Sequence, residues 1–246
     1  MGRGRKRRLS AEDELLVTEF IETSQVKKPE KKNSFARGFV ARTDKQAELV
    51  TSIEENEITI AIGPSGTGKT FAAVAAALSL LNQGFDNIML VKSVTTLPGE
   101  EIGFLKGQLA EKMEPFMMSF TWNIDKVGGK DTSKKLMETG VLQVLPLAFI
   151  RGLSIDNSIV IIDESQNLTR HAFKSIMTRI GENSKYIFLG DIEQIDRKKQ
   201  SESCLAEVLD IFKDEDFIGT IEFTDEDCVR NPLIPKILEK LRERGI

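Results

Sequence analysis

The chain has only two cysteines, Cys204 and Cys228, in 246 residues, and they form no C-x-x-C pair. That excludes a disulfide framework and a cysteine zinc site, and it points to reduced thiols in a cytosolic protein. The single histidine, His171, has no Ser, Cys or acid constellation around it and reads as an ordinary helix residue rather than a catalytic base. No apolar run approaches the length of a membrane span. The charged N-terminus is followed by no apolar segment, so it is not a secretory signal. A cytoplasmic protein without membrane contact is therefore expected. Strong net charge is also missing. The formal charge is −4, but residues 1–40 hold ten Lys/Arg against six Asp/Glu, which leaves −8 on the remainder. Attraction for nucleic acid is then confined to the N-terminus or to a local groove that net charge cannot reveal.

What the chain does have is apolar content enough for a core and a length that suits one large or two modest domains. Residues 1–8, with five Lys/Arg, form a basic tail, either simply solvated or a nucleic-acid-binding arm. A short helix is expected over 10–20 and a polar, Pro-broken linker over 27–33. Residues 1–42 are therefore read as a partly flexible basic extension, and 43–246 as the folded domain. Thr43-Asp44-Lys45-Gln46 opens a helix whose Ala47, Val50 and Ile53 should face the core. Strands are expected over 58–62, 87–92, 141–147, 158–163, 186–191 and 217–223, with helices over 71–81, 168–180, 204–212 and 232–244. The glycine-punctuated stretch 93–140 is too long for a simple crossover and reads as an inserted helical layer. Strands alternating with helices predict an α/β fold, a mainly parallel sheet flanked by helices with its ligand at the carboxyl edge.

Three stretches carry the chemistry. Gly63-Pro64-Ser65-Gly66-Thr67-Gly68-Lys69-Thr70 fits G-x-x-x-x-G-K-[ST] between an apolar strand and an Ala-rich helix, the setting a phosphate-binding P-loop requires. Glycines let backbone N–H groups turn inward around phosphates, and the following helix aims its positive dipole end at them. Lys69 would reach the β- and γ-phosphates of ATP, and the Thr70 hydroxyl would ligate Mg²⁺. Second, the apolar strand ending in Asp163-Glu164 has the form of a Walker B element. Asp163 would hold Mg²⁺, and Glu164 would polarise the attacking water. Third, the strand leading to Gly190-Asp191-Ile192-Glu193-Gln194 would deliver Gln194 beside the γ-phosphate as a sensor of hydrolysis. Arg230, before the last helix, is a candidate arginine finger, because Arg is unfavourable near a helix N-terminus. Arg179 and Arg151 are further basic candidates, with structural salt bridging equally open for each. Trp122 and the aromatics over 116–120 suit either base stacking or core packing of the inserted layer.

With these residues in view, the chain resembles the PhoH family of ATPases from about Thr43 onward. The likeness rests on Gln46, the loop over 63–70, Pro98-Gly99-Glu100-Glu101-Ile102-Gly103-Phe104-Leu105-Lys106-Gly107, Asp163-Glu164-Ser165-Gln166-Asn167, Thr178-Arg179-Ile180-Gly181, the run 190–196 and Val229-Arg230. The family is similar to the first RecA-like domain of superfamily 1 helicases. The resemblance implies a RecA-like P-loop NTPase, adenine contact by Gln46, Mg²⁺ at Thr70 and Asp163, hydrolysis through Glu164, sensing by Gln194 and a finger role for Arg230. Lys92-Ser93 stands where the family often has Arg-Pro, and Ser203-Cys204-Leu205 where Ser-Gly-Leu is common. Some members carry a PIN nuclease ahead of the ATPase. The forty residues here are too few for one, so ribonuclease activity is not carried over. The short form is similar to versions encoded by bacteriophages.

One P-loop domain leaves an ATP site half open, so a ring is expected, a hexamer by the resemblance, with Arg230 or Arg179 reaching across the interface. RNA or another single strand would bind through backbone contacts. Three classes follow: an ATPase motor or helicase-like remodeller on nucleic acid, a nucleotide-dependent switch or scaffold for a protein partner, and a P-loop kinase. The Glu164 and Gln194 pair argues against the last.

Overall fold

A computed structural model of the chain describes residues 39–92, 106–150, 154–194, 203–231 and 233–244. The basic tail, the expected helix over 10–20, the linker and Arg151 lie outside the described residues. Six strands, β1 (Ile58–Ile62), β2 (Asn87–Lys92), β3 (Leu142–Pro146), β4 (Ser158–Asp163), β5 (Lys185–Gly190) and β6 (Ile218–Glu222), form one sheet in the order β3-β2-β4-β5-β1-β6. Every pairing is parallel. Successive side chains of a strand point to opposite faces, so an unbroken apolar run such as Ile159-Val160-Ile161-Ile162 fills two cores at once. Ile159 and Ile161 join one apolar cluster, Val160 and Ile162 the other. That is why the central strands lack polar alternation.

On the first face pack α1 (Asp44–Glu55), α2 (Lys69–Gln83), α3 (Lys106–Gly128) and α4 (Thr132–Glu138). The second face carries α5 (Arg170–Met177) and α6 (Leu205–Phe212); α7 (Leu233–Glu243) follows near the C-terminus. Helix α2 is buried nearly all round, and its Ala72, Ala73, Ala75, Ala76 and Ala77 let it approach the sheet while α1 and α3 press on its flanks. The inserted layer is helical, as expected, over 106–138: Phe120, Ile124 and Val127 of α3 and Leu136 of α4 join the first core. The expectation for α1 holds at Ile53, which is buried, and at Val50, which packs partly buried on the first core, and is corrected at Ala47. Its inward face is Gln46, Leu49, Ser52 and Ile53, while Ala47 is exposed. Gln46, a polar residue, takes an inward position and donates a hydrogen bond to the P-loop.

Close approach at the tip of β5 depends on Gly190. A Cβ there would lie 2.6 Å from Leu205 Cδ2 and 2.8 Å from Ser165 Oγ. Overpacking of this kind costs about 1–3 kcal/mol. Gly190→Ala is expected to lower stability in urea by that amount and to push the 3-10 turn Ser165–Asn167 away from β5. An unchanged urea midpoint would show that the tip is not tightly packed.

Candidate functional site: a phosphate-binding cleft at the carboxyl edge of the sheet

The loop between β1 and α2 is held from several sides. Gly63 N–H donates to Gly190 O (3.2 Å), and Val229 N–H to Gly66 O (3.1 Å). Thr67, fully buried, donates its hydroxyl to Pro64 O (3.0 Å). Gln46 Nε2 donates to Thr67 O (2.8 Å), and Gln46 Oε1 accepts from Arg42 N–H (3.0 Å). Gly63, Gly66 and Gly68 all have positive φ, which the inward turn of the loop requires. Gly68 caps α2 without a side chain. The first N–H groups of α2 therefore face the cleft unpaired by the helix, the arrangement that binds an anion.

Lys69 bends back over the loop, donating to Gly63 O (2.6 Å), Pro64 O (2.8 Å) and Thr67 Oγ1 (3.4 Å). Burial lowers its ammonium below the usual lysine range, opposed by the carboxylates of Asp191, Asp163 and Glu164. Burial likewise raises Asp191, opposed first by Lys69 and then by the N–H groups of Glu193 and Gln194. One partly desolvated cation thus sits among three acids, all at the carboxyl ends of β4 and β5. Strand order causes this. β5 lies between β1 and β4, so its tip stands between the P-loop and Asp163. Asp191 then organises the turn after β5, accepting at Oδ1 from Glu193 N–H (3.0 Å), while its carbonyl accepts from Gln194 N–H (3.2 Å).

Glu164 has left-handed backbone angles, φ 56° and ψ 38°. For a non-glycine residue that costs on the order of 1–3 kcal/mol and persists only where surroundings enforce it. Here Gln166, 2% exposed, donates from Nε2 to Glu164 Oε2 (2.7 Å) and accepts at Oε1 from Asp191 N–H (3.1 Å). One buried amide thereby links the strand-end acid to the turn that carries Gln194.

Ser65, Gly66, Gly68, Lys69, Thr70, Asp163, Glu164, Gln194 and Arg230 all line one cleft of about 640 Å³. This is within the size range of nucleotide-sized ligand sites, roughly 300–1,000 Å³. The donor set suits phosphate oxygens, and Thr70 with Asp163 suits a Mg²⁺ that shares those oxygens. Gln46 lines the cleft too, but both ends of its amide brace the loop and Arg42. Arg230 lies exposed on the rim of its own cleft. Arg179 is a different matter: it is not brought to this cleft. It follows α5 and its carbonyl accepts from Ile155 N–H (3.2 Å) and Tyr186 OH (3.0 Å), at the amino edge of the sheet. His171 is exposed on α5, away from the cleft, as an ordinary helix residue. The aromatics of the inserted layer divide: Phe120 is core, whereas Trp122 lines the cleft. Sequence reasoning named Gln166 and Asp191 only as members of motifs, without a role, and passed over Arg42 and Lys126. The spacing of Gln166 two residues after Glu164 was the available signal for the first. Nothing local marks the other three.

Residues 39–242 match the family model described as PhoH-like protein. A PhoH-like protein of Bacillus subtilis (strain 168) is 38% identical over 208 residues, covering 85% of this chain and 65% of that protein. Protein PhoH of Escherichia coli (strain K12) is 34% identical over 202 residues, 81% of this chain and 57% of that protein. The chain thus spans less than two thirds of the length of these relatives. Among solved structures, the large terminase from a thermophilic bacteriophage superposes with a TM-score of 0.49 at 11% identity, over 81% of this chain and 50% of that one. That likeness adds nothing to the topology already described. Among the described residues no helix is long and apolar enough to cross a membrane.

Proposed function

Because this chain belongs to the PhoH-like family, we propose that it is a Mg²⁺-dependent ATPase whose turnover is coupled to RNA or another single-stranded nucleic acid. The observation that carries the reading is the convergence of Lys69, Asp163, Glu164 and Gln194 on one cleft at the carboxyl edge of a parallel sheet. Bound Mg²⁺, held by Thr70 and Asp163, would supply neutralisation of phosphate charge. The chain's own groups do the rest. Loop N–H groups and Lys69 orient the triphosphate. Glu164, aimed by Gln166, takes the proton of the attacking water. Gln194 rides on the turn that Gln166 also touches, so a change at the γ-phosphate is felt at both.

A ring of identical subunits goes with this reading. Arg230 is exposed at the rim, and α7 beside it presents Leu233, Ile237 and Leu241 to solvent at four-residue spacing. A neighbour seated on that stripe would cover residues close in sequence to Arg230 on the cleft rim.

The test is ATP turnover with Mg²⁺, alone and with RNA, single-stranded DNA or duplex, at two salt concentrations. Single strands are expected to stimulate phosphate release, with the stimulation fading as salt rises. Turnover indifferent to every nucleic acid would favour the switch reading. Transfer of phosphoryl to an acceptor in place of free phosphate would make the protein a kinase.

A further inference from the structure

The phosphate cradle accounts for part of the cleft lining, and another part has different chemistry. It comes from α3 in the inserted layer, which turns Ser119, Trp122, Asn123 and Lys126 toward the cleft at helical spacing. Trp122 is 61% exposed, an unusual position for the only tryptophan in the chain. An indole offers a large flat apolar face with a polar N–H at its edge, the shape on which another ring stacks. Its ring is held in place: Lys126 Nζ stands 4.6 Å from the Trp122 centroid and 5.1 Å from that of Phe71, the residue just after Thr70. Phe71 in turn packs against Phe39, centroids 5.6 Å apart. The indole is thus tied through one ammonium to the first turn of the P-loop helix, while much of its surface remains open to a flat partner.

We infer that Trp122 is the stacking platform for the purine base of the nucleotide, with Asn123 beside it reading the base edge. The inference rests on the nucleotide reading of the same cleft. Three further observations support it. The cleft, at about 640 Å³, is larger than a triphosphate alone needs and continues from the loop to α3. Gln46, which the family resemblance offers for base contact, spends one N–H on Thr67 O and one lone pair on Arg42 N–H, so half of its amide capacity holds the loop. Asn123 lines the cleft one residue after Trp122, and its amide presents a donor and an acceptor side by side. That pairing matches the adjacent N7 acceptor and N6–H₂ donor of adenine, whereas the same edge of guanine presents two acceptors. The stacking surface and the polar reader therefore both come from the insertion rather than from the phosphate-binding core.

The sole tryptophan is its own reporter. Tryptophan emission is recorded while wild-type protein is titrated with MgATP and, separately, with magnesium tripolyphosphate, which has phosphates but no base. Calorimetry measures binding in parallel. MgATP is expected to quench the emission saturably. Tripolyphosphate is expected to compete with ATP while leaving the emission unchanged. Trp122→Ala should weaken ATP binding roughly 5- to 150-fold, the range for loss of one base–aromatic stack, with tripolyphosphate affinity unaltered. Trp122→Phe should recover most of the loss, and Asn123→Ala should reduce discrimination between ATP and GTP. ATP that binds without quenching, or a Trp122→Ala protein that loses ATP and tripolyphosphate equally, overturns the assignment and leaves the phosphate site standing. Quenching by single-stranded RNA but not by ATP also overturns it, assigning the indole to nucleic acid. Failure of wild type to bind ATP at all removes the nucleotide reading itself.

Discussion

Lys69→Ala is expected to reduce ATP affinity by roughly 30- to 5,000-fold, the equivalent of the 2–5 kcal/mol that truncating one partner of a buried charge pair costs. The magnitude follows from where the ammonium sits. It is partly desolvated, its pKa is lowered by that burial, and three acids stand around it. A triphosphate brought into this field without Lys69 would face Asp163, Glu164 and Asp191 with only backbone N–H groups and metal to offset them. The fold should survive the substitution, because Lys69 bonds only to Gly63, Pro64 and Thr67 within its own loop, while Gly190, Val229 and Gln46 continue to brace that loop. Calorimetry with MgATP, beside a circular-dichroism melt, checks both halves. An affinity within about threefold of wild type, less than 1 kcal/mol, would mean that this loop is not where phosphate binds.

Glu164→Gln should leave ATP binding nearly intact and slow hydrolysis by roughly 10²–10⁴, the usual contribution of a positioned general base. The substitution is a clean one here. Gln166 Nε2 donates to Glu164 Oε2, and the amide oxygen of a glutamine can accept the same bond, so the side chain is expected to keep its place and lose only its basicity. Unhydrolysed ATP should therefore accumulate on the protein, measurable as bound label after rapid filtration. Full turnover would end the assignment of Glu164 as the base. A companion variant separates chemistry from positioning. Gln166→Leu removes the amide that aims Glu164 and strips Asp191 N–H of its acceptor. Leaving that buried N–H unpaired costs about 1–3 kcal/mol. The variant should lose stability as well as rate, whereas Glu164→Gln should lose rate alone.

How far local patterns reached is clearest at particular elements. The apolar run 158–163 and the glycine-rich loop over 63–70 were legible because each is dictated within a few residues: a doubly buried strand needs apolar side chains on both faces, and an inward-turning loop needs glycines at positive φ. On α1 the period placed Val50 and Ile53 rightly and Ala47 wrongly, because the inward position beside it belongs to polar Gln46, bonded to Arg42 and Thr67. Arg179 was named with Arg230 as a candidate to reach across a subunit interface, and nothing local said where in the fold it would stand. Its actual location follows from α5 running back to the amino edge of the sheet.

The sequence by itself therefore determined the strands, the phosphate loop, the acid pair Asp163-Glu164 and the family. Each is written in a short window where side-chain period, backbone permissiveness or motif spacing leaves few alternatives. Only the tertiary structure decided which of these meet. The insertion of β5 between β1 and β4 sets Asp191 beside Lys69, and the packing of α3 on α2 brings Trp122 to the mouth of the cleft. Strand order and helix docking bring together residues far apart in the chain through the combined burial of two cores, and no local period carries that information.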